Sequence, residues 1–264
     1  MRDKIAKAKR IVIKIGTSSL THTNGKINLK KMEKLAQVLT DISNSGKEVM
    51  LVSSGAIGFG MQKIGRSKRP DELSLKQATA AIGQAILMQI YQKFFTEYNQ
   101  VIAQILLTKD VLEDHIKNSN AKNTFSTLLD LGVIPIINEN DCISTAEIEG
   151  YRFGDNDTLS ATVAQLVDAD LLILLTDIEG LYTDNPRENP GAQFIKEVDN
   201  ITEDVENLAK SSGSRLGTGG MSTKILAAKI AKGCGAETIV ACGDNIEILY
   251  DILKGEEIGT WFKA

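Results

Sequence analysis

An α/β fold with a mostly parallel central sheet and helices on both faces is predicted by two features of this 264-residue chain. Short apolar runs alternate with longer amphipathic segments, the pattern of strand-helix units. Five of those runs also end in small or polar stretches, "KIGTSS", "SSGAIG", "NENDC", "LLTDIEG" and "ACGDN". Parallel strands would bring all five to one edge of the sheet, where open α/β sheets bind their ligands.

The elements follow in order. Residues 11–16 ("IVIKIG") and 48–55 ("EVMLVSSG") are near-continuous Val, Ile and Leu, as expected of strands buried on both faces. Between them, residues 30–43 place Met32, Leu35, Leu39 and Ile42 on one helical face. Residues 74–97 read as one or two long helices. Strands are then expected at 101–107, 133–140, 171–177 and 238–243, with helices at 119–130, 157–168 and 222–233. Segment 21–29 reads as a hairpin or loop, and 142–154 as an excursion from the sheet. Segment 186–220, polar and glycine-containing, reads as the most mobile part.

Composition narrows the function classes. Net charge is −4, against the basic stripe of most nucleic-acid binders. Cys142, Cys234 and Cys242 lack C-x-x-C spacing, and two distant histidines make no metal cluster. The three thiols read as buried or inert in a reducing compartment. "MRDKIAKAKRIVIKIG" lacks the apolar core of about 7–15 residues of a signal peptide. No apolar run reaches membrane-spanning length. A cytoplasmic protein is expected.

Five stretches carry chemistry. Lys14 sits inside the first strand, two residues before Gly16. A lysine buried there is costly unless its charge is used, although it could snorkel from a strand edge. "SSGAIG" (53–58) could hold an anion with backbone amides and hydroxyls, or be an ordinary tight turn. "INENDC" and "FGDNDTLS" gather Glu139, Asp141, Asp155 and Asp157 with Asn138, Asn140 and Asn156. Such groups can take an ammonium, hold Mg²⁺ or orient lysines; Asp157 also stands where a helix N-cap is needed. "LLTDIEGLYTDNP" ends a strand in Thr176 and Asp177, where a base or ribose could lie, or a plain Asx-turn. "GTGGMSTK" (217–224) sets glycines before a helix and places Lys224 in its first turn. A cation there is unfavourable unless it faces an anion.

The motifs "KIGTSSL", "VSSGAIGFG", "VIPIINENDCIST", "FGDNDTLSA", "LLTDIEGLYTDNPR" and "GTGGMSTK" are similar, in order and spacing, to those of the glutamate 5-kinase family of the amino-acid kinase superfamily. The resemblance runs from about residue 10 to the closing "IGTWF". It implies a three-layer αβα sandwich and phosphoryl transfer from MgATP to the side-chain carboxylate of L-glutamate. It implies that Ser54, Asp141 and Asn156 bind glutamate. It implies that Lys14, Thr176, Asp177 and the loop Thr218, Gly219, Gly220, Met221, Ser222, Thr223 and Lys224 bind ATP. Lys14 and Lys224 match the lysines that stabilise the transition state, and Asp157 the aspartate that orients them. No metal-ligating side chain is assigned. Family-level expectations are a homo-oligomer (dimer or tetramer), feedback inhibition by proline, and delivery of product to glutamyl phosphate reductase. No nucleic-acid or membrane partner is expected. Two departures stand out. Residues 1–264 make one kinase domain without the PUA domain that many bacterial members add, and the connection 147–154 is longer than usual.

Overall fold

The computed structural model describes residues 2–66, 70–143, 155–211 and 220–264. In chain order its elements are α1 (Asp3–Lys7), β1 (Arg10–Ile15), α2 (Thr17–Leu20), α3 (Leu29–Asn44), β2 (Glu48–Ser53), α4 (Ala56–Lys63), α5 (Leu73–Glu97), β3 (Ile102–Leu107), α6 (His115–Asp130), β4 (Ile134–Glu139), α7 (Asn156–Leu166), β5 (Leu171–Thr176), β6 (Leu181–Tyr182), β7 (Phe194–Ile195), β8 (Glu197–Val198), α8 (Glu203–Ser211), α9 (Met221–Gly233), β9 (Glu237–Cys242), α10 (Ile248–Leu253) and β10 (Thr260–Phe262). Eight strands form one sheet in the order β3-β4-β2-β1-β5-β9-β10-β8. The six long strands are mutually parallel, and β10 runs antiparallel to β9. The chain starts at the centre, builds outward through β2, then crosses to β5 on the other side of β1. The gap between the carboxyl ends of β1 and β5 is therefore a topological switch point, the usual ligand crevice of such sheets.

Strand alternation sorts the core into two halves. Ile11, Ile13 and Ile15 of β1, with Ile134 and Ile136 of β4, face a layer containing α3 and α5. Val12 of β1, Met50 and Val52 of β2, and Ile137 of β4 face α7 and α9. Side chains two apart share a face, so Lys14 lies on the α7/α9 side and Asn138 on the α5 side. The three-layer architecture thus decides what each polar strand residue can meet.

Local sequence explains the main helices. Met32, Leu35, Leu39 and Ile42 are buried along α3, and Asn28 caps it by accepting from the Lys31 N–H. Asp114 caps α6 in the same way, accepting from Ile116 and Lys117, so the helix starts four residues before the expected 119. Gly55 takes φ 110° between β2 and α4, a conformation that favours glycine. "SSGAIG" therefore opens a helix rather than a simple turn. A Cβ on Gly83 would sit 1.6 Å from the Ala56 carbonyl oxygen, so α4 and α5 cross in backbone contact.

Segment 186–220 carries β7, β8 and α8 among its described residues, which run to 211 and resume at 220. Cys142 is exposed rather than buried, and Cys234 and Cys242 are half-buried. One expectation is corrected. The cap of α7 is Asp155, whose Oδ1 accepts from the Asp157 N–H at 3.0 Å, which releases the Asp157 side chain for other partners. The 147–154 connection and most of the expected 142–154 excursion lie outside the described residues. No helix among the described residues is long and apolar enough to cross a membrane.

Candidate active site

Lys14, on the α7/α9 face of the central strand, meets the first turn of α7. Its Nζ lies 2.6 Å from Asp157 Oδ1. Lys224 Nζ, from the first turn of α9, lies 3.0 Å from Asp157 Oδ2. Asp157 is fully buried, and both lysine side chains are less than a tenth exposed. Thr223 Oγ1 also faces this carboxylate, 2.8 Å from Oδ2 and 2.7 Å from the Gly220 carbonyl, with one proton to give. Burial opposes the charge on Asp157, but the two ammonium groups outweigh it and hold the carboxyl well below the usual carboxylate range. Beside it, burial and the charge of Asp157 push the Asp155 carboxyl up. Its Oδ2 is buried without a hydrogen-bond partner.

The triad carries one negative and two positive charges. Burying such a group is expensive, and the excess positive charge is favourable only against a further anion. The geometry presents two ammonium groups, fixed from below, at the carboxyl edge of β1.

A second, uncharged arrangement lies across the same edge. Asn156 Nδ2 donates to Ser54 Oγ at 2.8 Å and to Asn138 Oδ1 at 3.0 Å. Asn138 Nδ2 donates to Gln84 Oε1 at 2.9 Å. Ser54, after β2, and Asn156, opening α7, are thus brought together. Asp141 lies close by. With Ala56, Gln84, Glu139 and Asn140 it lines a shallow recess that is partly open to solvent.

Thr176 ends β5, and its hydroxyl donates to Asp177 Oδ1 at 3.2 Å. Arg187 reaches back to Asp177 Oδ2 at 2.7 Å. Burial again opposes the charge of Asp177, and Arg187 outweighs it, holding this carboxyl below its ordinary value. Of the glycine loop, Gly220, Met221, Ser222, Thr223 and Lys224 are described: Met221 and Lys224 are buried and Ser222 is exposed. Thr218 and Gly219 lie outside the described residues.

Sequence reading passed over Gln84 and Arg187. Gln84 sits mid-helix in "AAIGQAIL", where a polar residue on a buried face was the available signal. Arg187 closes the "TDNPR" turn, a charge that reads as solvated until the fold places it against Asp177.

The Amino acid kinase family model matches residues 9–242. A glutamate 5-kinase of Clostridium perfringens is 55% identical over 100% of this chain and 98% of its own length. One from Listeria monocytogenes is 50% identical over 100% of this chain and 96% of its own. Among solved structures, a UMP kinase from Bacillus anthracis superposes with TM-score 0.66 at 20% identity, covering 97% of this chain and 96% of that one. A carbamate kinase from Giardia lamblia bound to AMP-PNP gives TM-score 0.67 at 18% identity, covering 98% and 99%. At such identities these two establish the fold alone. The central-strand lysine, the GDND turn and the glycine loop thus stand in a chain that belongs to the amino acid kinase family, within its glutamate 5-kinase branch.

Proposed function

We propose that this chain transfers the γ-phosphoryl group of ATP to the side-chain carboxylate of L-glutamate, giving L-glutamyl 5-phosphate and ADP, the first step of proline biosynthesis. The observation that carries this reading is the buried Lys14–Asp157–Lys224 triad at the sheet edge. A carboxylate and a γ-phosphate must approach in line. At ~4 Å two unit charges repel by about 4 kcal/mol at an effective dielectric near 20. Lys14 and Lys224 offset that repulsion and stabilise the charge spread over the transferring group. Asp157, kept ionised by both, holds them at a fixed spacing. A carboxylate oxygen attacks the γ-phosphorus, the bond to the β-γ bridging oxygen breaks, and its electron pair leaves on ADP. No proton moves, because the acceptor is already ionised near pH 7, and no general base is required.

Ser54, Asp141 and Asn156 hold the glutamate: Asp141 suits the ammonium, and the Ser54 hydroxyl suits a carboxylate. Thr176, Asp177 and the loop from Thr218 to Lys224 hold the nucleotide. Among the described residues no group of three or more His, Cys, Asp and Glu is placed to cage a metal. The buried Asp155 Oδ2 without a partner fits a Mg²⁺ ion that arrives on the phosphates. When bound, that ion neutralises phosphate charge.

By the same reading proline, with the same α-amino and α-carboxyl groups, competes with glutamate and acts as feedback inhibitor. Residues 1–264 work as one kinase domain in the cytoplasm. The chain assembles as a dimer or tetramer and hands its reactive acyl phosphate to glutamyl phosphate reductase. A coupled ADP-release assay with glutamate, aspartate, acetylglutamate, carbamate and UMP tests the reaction. Turnover dependent on glutamate is expected; strong turnover on another acceptor without it would overturn the assignment.

A further inference from the structure

We propose that Gln84 is a positioning residue that sets the hydrogen-bond polarity of the acceptor site. It acts as the terminal acceptor of a one-way amide relay running Ser54–Asn156–Asn138–Gln84. This rests on the reading of glutamate as acceptor and deepens it.

The direction of the relay follows from one backbone group. The Glu139 N–H donates to Asn138 Oδ1 at 3.0 Å, and an N–H can only be met by an acceptor. Asn138 therefore turns its oxygen toward Glu139 and Asn156, and its Nδ2 toward α5. The facing atom there must accept, and it is Gln84 Oε1 at 2.9 Å. On the other side, Asn156 must present Nδ2 to Asn138 Oδ1, and the remaining Nδ2 hydrogen goes to Ser54 Oγ. Both Asn156 donors are then committed, so Asn156 Oδ1 is the polar atom left for a ligand, an acceptor suited to an ammonium. Ser54 Oγ is already an acceptor, so its own hydrogen is left to donate to a carboxylate. An amino acid offers that complementary pair.

Gln84 also borders the recess beside Asp141, and within the protein its oxygen is used on Asn138. Gln84 is 8% exposed, and its Nε2 is buried without a partner. A buried donor left unmade is costly. Flipping the amide would not cure this, since Nε2 would then face the donor Nδ2 of Asn138. The orientation that preserves the relay is kept despite its orphan. The relay also spans the sheet edge, from α5 in one outer layer to α7 in the other, so it ties acceptor polarity to the packing of both.

The test compares Gln84→Met, which removes the acceptor, with Gln84→Glu, which keeps an oxygen facing Asn138. Wild-type turnover on glutamate is measured first; its absence would sink the functional reading and not the relay. Gln84→Met is expected to raise the KM for glutamate on the order of tenfold, the scale of a buried hydrogen bond left unmade, with the KM for ATP unchanged. It should also narrow the preference for glutamate over glutarate, which lacks the α-amino group. Gln84→Glu is expected to keep glutamate KM and that preference near wild type. An unchanged glutamate KM in Gln84→Met, a loss of thermal stability alone, or equal impairment in Gln84→Glu would each overturn the proposal.

Discussion

Two carboxylates at the carboxyl edge of the sheet pair with cations, and they differ in nearly everything else. Asp157 is fully buried and meets two lysines that are 8% and 7% exposed. Asp177 meets Arg187 with both side chains more than half exposed. In water the second pair gains little, because solvent screens the attraction and two side chains lose freedom. In the interior the first group is expensive to assemble and more expensive to break. Burial therefore sets the triad apart as the group whose charges carry the proposed chemistry. The exposed pair braces the turn after β5, where Asp177 is proposed to meet the nucleotide.

The largest effect is expected from Asp157→Asn, which keeps shape and leaves two ammonium groups buried without their counter-ion. Urea unfolding should show a loss of about 3–5 kcal/mol near neutral pH. The pH dependence carries a defined sign. The folded-state carboxyl lies below its ordinary value, so its contribution is complete above about pH 4 and is lost as pH falls further. The gap between wild type and variant should close on acidification. A gap that is absent, or that stays constant down to acid, would show that the three charges are not coupled.

Next comes Lys224→Ala. Asp157 keeps Lys14, so the fold should survive with a modest change in Tm. Turnover should fall by roughly 10²–10³-fold, as when one preorganised donor to developing charge is removed. Glutamate binding, followed by calorimetry, should persist. Undiminished turnover would remove Lys224 from the chemistry.

The smallest effect is expected from Arg187→Ala: a stability change of about 0–1 kcal/mol that disappears in high salt. A loss larger than this, insensitive to salt, would mean that the exposed pair is a structural element after all and would blur the contrast with Asp157.

The six long strands and the helices α3, α5, α7 and α9 are legible in the sequence because burial on both faces leaves little choice but Val, Ile and Leu, and because one-sided burial imposes a helical period. The short pieces were not. The α4 helix hides behind a glycine needed for its positive φ. The strands β6, β7 and β8 are two residues each, too short to show alternation. Lys14 is conspicuous as a charge inside an apolar strand, Lys224 as a cation at a helix start, and Asp157 as one of an acidic cluster. Gln84 is less so: its apolar neighbours are a signal, but only packing shows that it lies on a buried face.

The chain's own residues determined which charges could not be wasted: a lysine in an interior strand, a lysine at a helix start, and an acidic cluster near a cap. Tertiary structure alone decided which aspartate took which task. Asp155 closes the end of α7 through the Asp157 N–H, and Asp157, two residues on, turns inward to both lysines. That division depends on β1, α7 and α9 meeting on one face of the sheet, a convergence of residues up to 210 positions apart that no local pattern encodes.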